Sequence, residues 1–115
     1  MTTGCLFCRI VSRDIPAAVV YEDEQILAFD DINPQAPVHT LVIPKLHLSS
    51  IAETTPEDAP LLGQLIRVGS QIARDKGVAE TGYRLVANTG RHGGQSVLHL
   101  HLHLLGGRPM QWPPG

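Results

Sequence analysis

The stretch His99-Leu100-His101-Leu102-His103-Leu104-Leu105 decides how this chain is interpreted, because polar and apolar side chains alternate along it. Side chains of a β-strand point alternately to the two faces of the sheet. We therefore predict a strand over residues 97–105, with the leucines in the core and the three histidines on the opposite face. Three imidazoles are a costly way to cover a solvated edge, so this face is predicted to line a functional site.

Three histidines on one straight strand do not suit a single metal ion. A strand rises ~3.3 Å per residue, which separates the start of the His99 and His103 side chains by ~13 Å. Zinc–nitrogen bonds are only ~2.0–2.1 Å long. Two neighbouring histidines could share an ion, and we expect the run to divide its work.

A glycine-rich loop, Asn88-Thr89-Gly90-Arg91-His92-Gly93-Gly94-Gln95-Ser96, comes directly before the histidines. Glycines let backbone N–H groups approach an anion closely, and such groups hold phosphate oxygens. Gln95 and Ser96 add side-chain donors. Glycine pairs also make ordinary hairpin turns, but beside a histidine face the loop indicates a phosphate held against imidazole nitrogens. A neutral imidazole attacks phosphorus well and then leaves readily, which divides a displacement into two easier steps.

The segment Cys5-Leu6-Phe7-Cys8 has the C-x-x-C spacing that lets two thiolates reach one zinc ion. The same spacing fits a redox-active pair, or two small apolar residues on a helix. The surroundings lack the βαβ pattern of a thioredoxin-like domain, which disfavours the redox interpretation. Structural zinc takes four ligands, and the chain offers histidines to complete the set.

Hydrophobic periodicity over the rest of the chain predicts the fold class. Apolar residues recur at helical spacing after Thr55, a predicted N-cap followed by Pro56, and the stripe continues to Asp75 and a capping Gly77. About five strands and one long helix, joined by short connections, favour an α+β domain with an antiparallel sheet. The predicted elements are a short helix over 6–13, strands over 18–22, 26–29, 39–44, 83–87 and 97–105, and the long helix.

Length and composition limit the functions that the chain can have. Its 115 residues predict one domain spanning residues 1–115, and a hydrophobic fraction of 43% supports a real core. A net charge of -2 provides no basic field, which argues against a nucleic-acid partner. No apolar run is long enough for a bilayer, so no membrane partner is expected. Arg9, Arg13 and Asp14 interrupt any signal peptide, so we predict a cytoplasmic protein with reduced thiols.

At the histidine run the sequence resembles the histidine-triad (HIT) superfamily, whose signature is three histidines separated by apolar residues. The likeness to the HINT branch of that superfamily extends over nearly the whole chain and includes a specific C-terminal ending. The segments that carry it are Ile15-Pro16-Ala17, Asp31-Ile32-Asn33-Pro34-Gln35-Ala36-Pro37, Val42-Ile43-Pro44-Lys45, Gly93-Gly94-Gln95-Ser96-Val97, Leu105-Gly106-Gly107-Arg108 and Trp112-Pro113-Pro114-Gly115.

The resemblance implies an enzyme that hydrolyses purine nucleoside 5′-phosphoramidates through a nucleotidyl-histidine intermediate. His101 would attack the α-phosphorus and His103 would contact the phosphate, while His39 and His99 complete the imidazole surroundings. Ser96 would lie near the leaving group. The HIT-like fold of the family forms a homodimer whose sheet extends across both copies, and the C-terminal tail approaches the partner's site.

The resemblance also implies a nucleotide-binding set for AMP or its phosphoramidates. Asp31 and Ile32 match the segment that contacts ribose and base, Asn88 matches a phosphate or ribose contact, and the phosphate would lie on the loop. On spacing alone, Asp31 and Asn88 also read as ordinary turn residues. The predicted nucleotide-binding residues are Asp31, Ile32, Asn88, Gly94, Gln95, Ser96, His101 and His103.

Bacterial HINT-like proteins that retain the C-x-x-C pair resemble this chain, and that likeness implies a structural zinc site of Cys5, Cys8, His47 and His99. No organic cofactor is expected. Such a site would assign His99 to the ion and leave His101 and His103 to the phosphate.

Two other functions remain open at this point. A dinucleoside polyphosphate hydrolase or a nucleotidyl transferase would share the histidine chemistry. The transferase branch has glutamine where His103 stands, and the polyphosphate branch lacks the Trp112-Pro113-Pro114-Gly115 ending. From a different class, the chain could be a nucleotide-binding or partner-binding module with residual activity.

Overall fold

A five-stranded antiparallel sheet in the order β1-β2-β3-β5-β4 forms the centre of the computed structural model, which describes residues 4–115. The fold class predicted from the sequence, α+β with one long helix, is confirmed. The elements are α1 (Leu6–Val11), β1 (Val19–Glu22), β2 (Ile26–Asp30), β3 (Val38–Pro44), α2 (Ala59–Asp75), β4 (Tyr83–Ala87) and β5 (Leu102–Gly106), with 3-10 turns at Ile51–Glu53 and Pro56–Asp58.

The long helix α2 begins one turn later than the sequence predicts. Thr55 and Asp58 form a capping box, in which the Thr55 N–H donates to Asp58 Oδ2 at 2.9 Å, but the first turn, which includes Pro56, is 3-10. The apolar stripe of α2 packs on one face of the sheet. Its buried members are Leu65, Val68, Gly69, Ile72 and Ala73.

Both faces of the sheet are covered, and this places the site. Ile26 and Ala28 of β2 belong to the core beneath α2, whereas Leu27 and Phe29 pack on the opposite face against Phe7 of α1. A buried strand with apolar residues on both sides fits a sheet with two layers over it. The face beneath α1 also receives the histidine side chains described below.

The predicted strand over 97–105 is wrong in its first half. Pairing with β3 and β4 begins only at Leu102, and residues 97–99 form a bend. The His99 side chain turns away to two cysteines and is 0% exposed, which is incompatible with a straight strand through this point. The prediction that the leucines are core is confirmed, because Leu100, Leu102 and Leu104 are all buried.

Within residues 4–115, no helix is both long enough and apolar enough to cross a membrane.

Candidate active site and metal centre

His101, immediately before β5, has a defined tautomer. Its Nδ1 lies 2.7 Å from the backbone carbonyl of His99, which accepts a hydrogen bond and therefore requires a proton on Nδ1. In the neutral ring this leaves a lone pair on Nε2. The side chain is 4% exposed and lines an apolar pocket on the α1 face, so Nε2 is the ring nitrogen that can act as a nucleophile there.

His103 and His39 form a hydrogen-bonded chain whose direction is set by the backbone. The Gln35 N–H donates to His39 Nδ1 at 3.0 Å, so the proton of neutral His39 is on Nε2. That proton points to His103 Nδ1 at 2.9 Å, and His103 must then carry its own proton on Nε2. Burial lowers the pKa of His103 to about 4, aided by His101 and His39 and opposed by Asp31. Burial also lowers the pKa of His39, with Asp31 again opposing.

Asp31 has a turn role and a site role together. Its Oδ1 accepts the Asn33 N–H at 2.8 Å, as the turn interpretation expects. Its Oδ2 lies 3.5 Å from His39 Nε2, and the residue lines the pocket. The carboxylate therefore fixes the loop and supplies negative charge beside the imidazole chain.

The pocket has a volume of about 260 Å³ and contains five of the predicted site residues. Ile32 stands at its edge, 99% exposed. The apolar walls were missed in the sequence, because no local pattern marks those residues as pocket rather than core. The predicted residues present are Asp31, Ile32, Ser96, His101 and His103, and the missed wall includes Leu6, Phe7, Ile10, Ile15, Pro16, Ala17, Phe29, Leu41 and Val97.

The glycine loop lies next to the pocket, and its backbone requires glycine. A Cβ on Gly93 would stand 2.4 Å from the Thr89 carbonyl oxygen, and Gly94 has a φ of +83°. Gln95 holds the loop from inside: its Nε2 donates to Ser49 O at 2.6 Å and to Val97 O at 3.0 Å. Its side-chain donors are thus used within the protein, contrary to the expectation that they contact phosphate.

Asn88, Gly94 and Gln95 do not line this pocket, which separates them from the other predicted nucleotide-binding residues. Asn88 instead lines a cleft with the C-terminal tail, whose Gln111 carbonyl accepts a hydrogen bond from Arg84. Trp112 of the same tail is exposed.

The second centre lies behind His99 and consists of the four predicted metal ligands. Their ligand atoms all lie within 4.8 Å of one another. His99 Nδ1 is 3.4 Å from Cys5 Sγ, 3.5 Å from Cys8 Sγ and 3.2 Å from His47 Nδ1, and Cys8 Sγ is 3.2 Å from His47 Nδ1. The edges of a zinc tetrahedron with these donors are roughly 3.3–3.8 Å. No disulfide joins the two cysteines, so Cys5, Cys8, His47 and His99 fit zinc in number, type and spacing.

The tautomer of His99 supports this fit. Its Nε2 lies 2.8 Å from the Pro44 carbonyl, which requires the proton there and leaves the Nδ1 lone pair directed at the sulfurs. Burial lowers the pKa of His99, and the nearby His47 and His101 add to that effect, against the hydrogen bond to Pro44. A neutral ring is the form that binds zinc.

The family model described as HIT domain matches residues 12–110. The chain belongs to the HIT domain family. This HIT protein is 47% identical over 110 residues to the purine nucleoside phosphoramidase of Escherichia coli, covering 96% of this chain and 92% of that one.

Solved HIT structures have the same architecture. A HIT family hydrolase from Legionella pneumophila superposes with a TM-score of 0.95 at 53% identity, covering 96% of this chain and 99% of that one. A zinc-bound histidine triad family protein from Mycobacterium smegmatis gives a TM-score of 0.80 at 36% identity, covering 94% and 78%. The HIT-like fold predicted from the sequence is thereby confirmed.

Proposed function

We propose that this HIT protein hydrolyses the phosphorus–nitrogen bond of purine nucleoside 5′-phosphoramidates, with His101 as the nucleophile. The observation that carries the proposal is the 2.7 Å contact between His101 Nδ1 and the His99 carbonyl, because it reserves the lone pair of Nε2 for attack. The similarity to a purine nucleoside phosphoramidase supports the substrate class.

In the first step, His101 Nε2 bonds to the α-phosphorus and the phosphorus–nitrogen bond to the amine breaks. The amine takes up a proton from solvent as it departs, and Ser96, exposed at the lip of the pocket, is placed to hydrogen-bond to it. The His101 ring is then substituted on Nε2 and protonated on Nδ1, and therefore positive. The His99 carbonyl stabilises that charge because it accepts a hydrogen bond from Nδ1–H of His101 throughout the reaction.

In the second step, water attacks phosphorus, and the bond to His101 breaks. The products are the nucleoside monophosphate and a neutral His101, and the proton from water passes to phosphate or solvent. The Nε2 proton of His103 serves both steps as a hydrogen-bond donor to a phosphate oxygen, a role that the Gln35–His39–His103 chain holds in place.

The nucleoside itself is assigned to the apolar pocket, with Asp31 toward the ribose and Ile32 toward the base. Phosphate oxygens are assigned to the loop through Asn88, Gly94, Gln95 and Ser96. For Gln95 the contacts support positioning of the loop rather than side-chain donation.

Zinc in the Cys5, Cys8, His47 and His99 centre completes the proposal as a structural ion. We also propose a cytoplasmic location, because thiols stay reduced in that compartment and are available there as zinc ligands. We also propose a homodimer in which one sheet continues into the other. The edge strands available for this are β1 and β4. Sedimentation at twice the chain mass is expected, and a monomer at micromolar concentration would contradict the dimer.

The test is turnover of adenosine 5′-phosphoramidate by wild type and by His101→Ala, with His92→Ala as the exposed histidine control. We expect His101→Ala to lose about 10⁴-fold or more in kcat while still binding AMP. Rapid quenching of wild type should yield a nucleotidyl group on the peptide that contains His101. A retained rate in His101→Ala would show that the nucleophile is misassigned.

A second measurement separates the remaining functions. We expect kcat/KM for the phosphoramidate to exceed that for a diadenosine polyphosphate, and the reverse order would favour the polyphosphate hydrolase. A wild-type protein that binds AMP but turns over neither substrate would favour a binding module.

A further inference from the structure

Helix α1 (Leu6–Val11) belongs to the metal centre and to the pocket together. Cys5 is its N-cap, Cys8 lies within it, and both sulfurs are close to His99 Nδ1. Between the cysteines, Phe7 faces inward and lines the pocket, as does Ile10 one turn later. A single short helix thus carries two of the four metal ligands and part of the apolar wall.

The ring of Phe7 connects the two centres. It meets the His101 ring edge-on, with centroids 5.1 Å apart and planes at 89°, and it meets the His99 ring at 5.9 Å and 68°. Phe29 contacts it at 5.4 Å from the sheet. The side chain is 4% exposed, so a shift of Phe7 changes both the pocket wall and the packing of His101.

Helix α1 needs support from outside itself. It has six residues, whereas isolated helices shorter than ~12–15 residues are marginal in water. The hydrogen bonds described for the backbone N–H groups of residues 9–15 run to other residues of the same segment. Its attachment to the body includes the packing of Phe7, Ile10 and Val11 and the approach of Cys5 and Cys8 to His47 and His99. Just beyond the helix, Arg13 also pairs with Glu22 of β1.

We propose that the metal centre controls nucleoside affinity, because an ion held by the four ligands fixes α1 and thereby the Phe7 wall of the pocket. This inference rests on the nucleotide-binding function proposed above. Without the ion, the sulfur–nitrogen contacts among the four ligands are weak, and we expect α1 to open away from the sheet more often. Part of the binding free energy of the nucleoside is then used to order the Phe7 wall, so its apparent affinity falls.

The ion is open to exchange, which makes the inference testable on the intact protein. Cys5 and His47 line a solvent cleft together with Gly4 and Leu98, and this cleft adjoins the pocket through Leu6, Ser96 and Val97, which line both. A chelator can reach two of the four ligands through the cleft, and it is removed before AMP binding is measured.

The experiment compares zinc-loaded protein, chelator-treated protein and protein reloaded with zinc. Hydrogen exchange over residues 5–15 is expected to accelerate on removal of zinc, while exchange in α2 stays within about twofold. The Kd of AMP by calorimetry is expected to rise about tenfold or more and to return on reloading. Equal AMP affinity in the zinc-loaded and chelator-treated forms would contradict control of affinity by the metal centre, while leaving the nucleotide-binding function intact. Unchanged hydrogen exchange in α1 would contradict the same proposal. Failure of both forms to bind AMP would contradict the nucleotide-binding function itself.

Phe7→Leu isolates the wall from the ion, with Arg9→Ala as a matched control on the exposed side of α1. Phe7→Leu is expected to keep its zinc, to bind AMP about fivefold or more weakly, and to lose part of the zinc dependence of that affinity. Arg9→Ala should match wild type in all three measurements. Wild-type affinity in Phe7→Leu would show that the ring does not connect the two centres.

Discussion

Two clusters of imidazoles lie near the same sheet face. They resemble each other in spacing and differ in the hydrogen-bond partner of the second nitrogen of each ring. His47 Nδ1 and His99 Nδ1 are 3.2 Å apart, and His39 Nε2 and His103 Nδ1 are 2.9 Å apart. Either pair, with its cysteines or its carboxylate, satisfies a distance criterion for a metal site. Distance alone therefore does not distinguish them.

The backbone partner of the second ring nitrogen does distinguish them. The Pro44 carbonyl accepts a hydrogen bond from His99 Nε2–H, so the lone pair of Nδ1 points into the cysteine cluster, where a cation is favourable. The Gln35 N–H donates to the lone pair of His39 Nδ1, so the proton of the neutral His39 ring is on Nε2 and points into the other cluster. A cation is excluded there unless His39 loses that proton. Two similar sets of atoms therefore have different chemistry: the Pro44 carbonyl makes one suited to a metal ion, and the Gln35 amide makes the other a chain of hydrogen-bond donors.

Removing the sulfurs should separate the clusters most strongly. We expect Cys5→Ser/Cys8→Ser to purify with under ~0.2 zinc per chain and wild type with close to one. Loss of a bound ion should also lower Tm by about 12 °C or more. Elemental analysis and thermal unfolding check this, with His39→Gln as the control that keeps its zinc. Equal zinc in the double variant would contradict the assignment.

The donor chain should respond to changes at His39 in activity and not in metal. We expect His39→Leu to lose about 10²-fold in kcat/KM, because nothing then donates to His103 Nδ1. The amide of His39→Gln can still donate and should lose about tenfold. Both variants should retain zinc. A Leu variant as active as wild type would remove the chain from the mechanism.

Acid should affect His103 at an unusually low pH. Because its pKa is lowered to about 4 from an ordinary 6.5, the folded protein binds fewer protons there than the unfolded chain between these values. The contribution of His103 to the free energy of unfolding is thus present above pH 6.5 and declines as pH falls toward 4. Denaturant unfolding at several pH values should show a shallower decline in His103→Gln than in zinc-loaded wild type. Ring NMR signals of His103 that titrate near 6.5 would falsify this prediction.

The smallest effect is expected for a histidine that belongs to neither cluster. His92 lies exposed in the glycine loop. His92→Ala should leave the zinc content unchanged. Its kcat/KM should stay within about twofold of wild type and its free energy of unfolding within about 0.5 kcal/mol. A larger loss of activity would extend the site to the loop tip.

The sequence was sufficient for the parts of the fold that depend on local periodicity. The strand Tyr83–Ala87 has the predicted bounds, and α2 ends at Asp75 as its apolar stripe indicates. Alternation failed over residues 97–101, because His99 satisfies two cysteines that are distant in sequence and the chain bends to allow it. The alternation of polar and apolar residues depends only on the local sequence, so it cannot predict the competing contact of His99 with Cys5 and Cys8.

The same limit applies to the site. The C-x-x-C spacing predicted Cys5 and Cys8 as metal ligands, whereas His47 and His99 followed only from the resemblance to bacterial HINT-like proteins. Phe7 as a wall, Gln95 as a support of the loop and Gln35 as the partner of His39 all depend on tertiary contacts. Their residue types occur as ordinary core or turn residues elsewhere, so no local signal distinguishes them. One domain over residues 1–115 stays a prediction.

The contact between Cys5 and His99 spans 94 positions of the chain. A ribosome therefore exposes Cys5 and Cys8 ahead of His99 by 94 and 91 positions, so the four-residue centre forms only after His99 has emerged. Coordination of one ion by Cys5 and His99 would close the polypeptide between them into one loop, and the entropy lost by such closure grows only slowly with length. The docking of α1 on His99 is accordingly expected to follow the synthesis of strands β1 to β4.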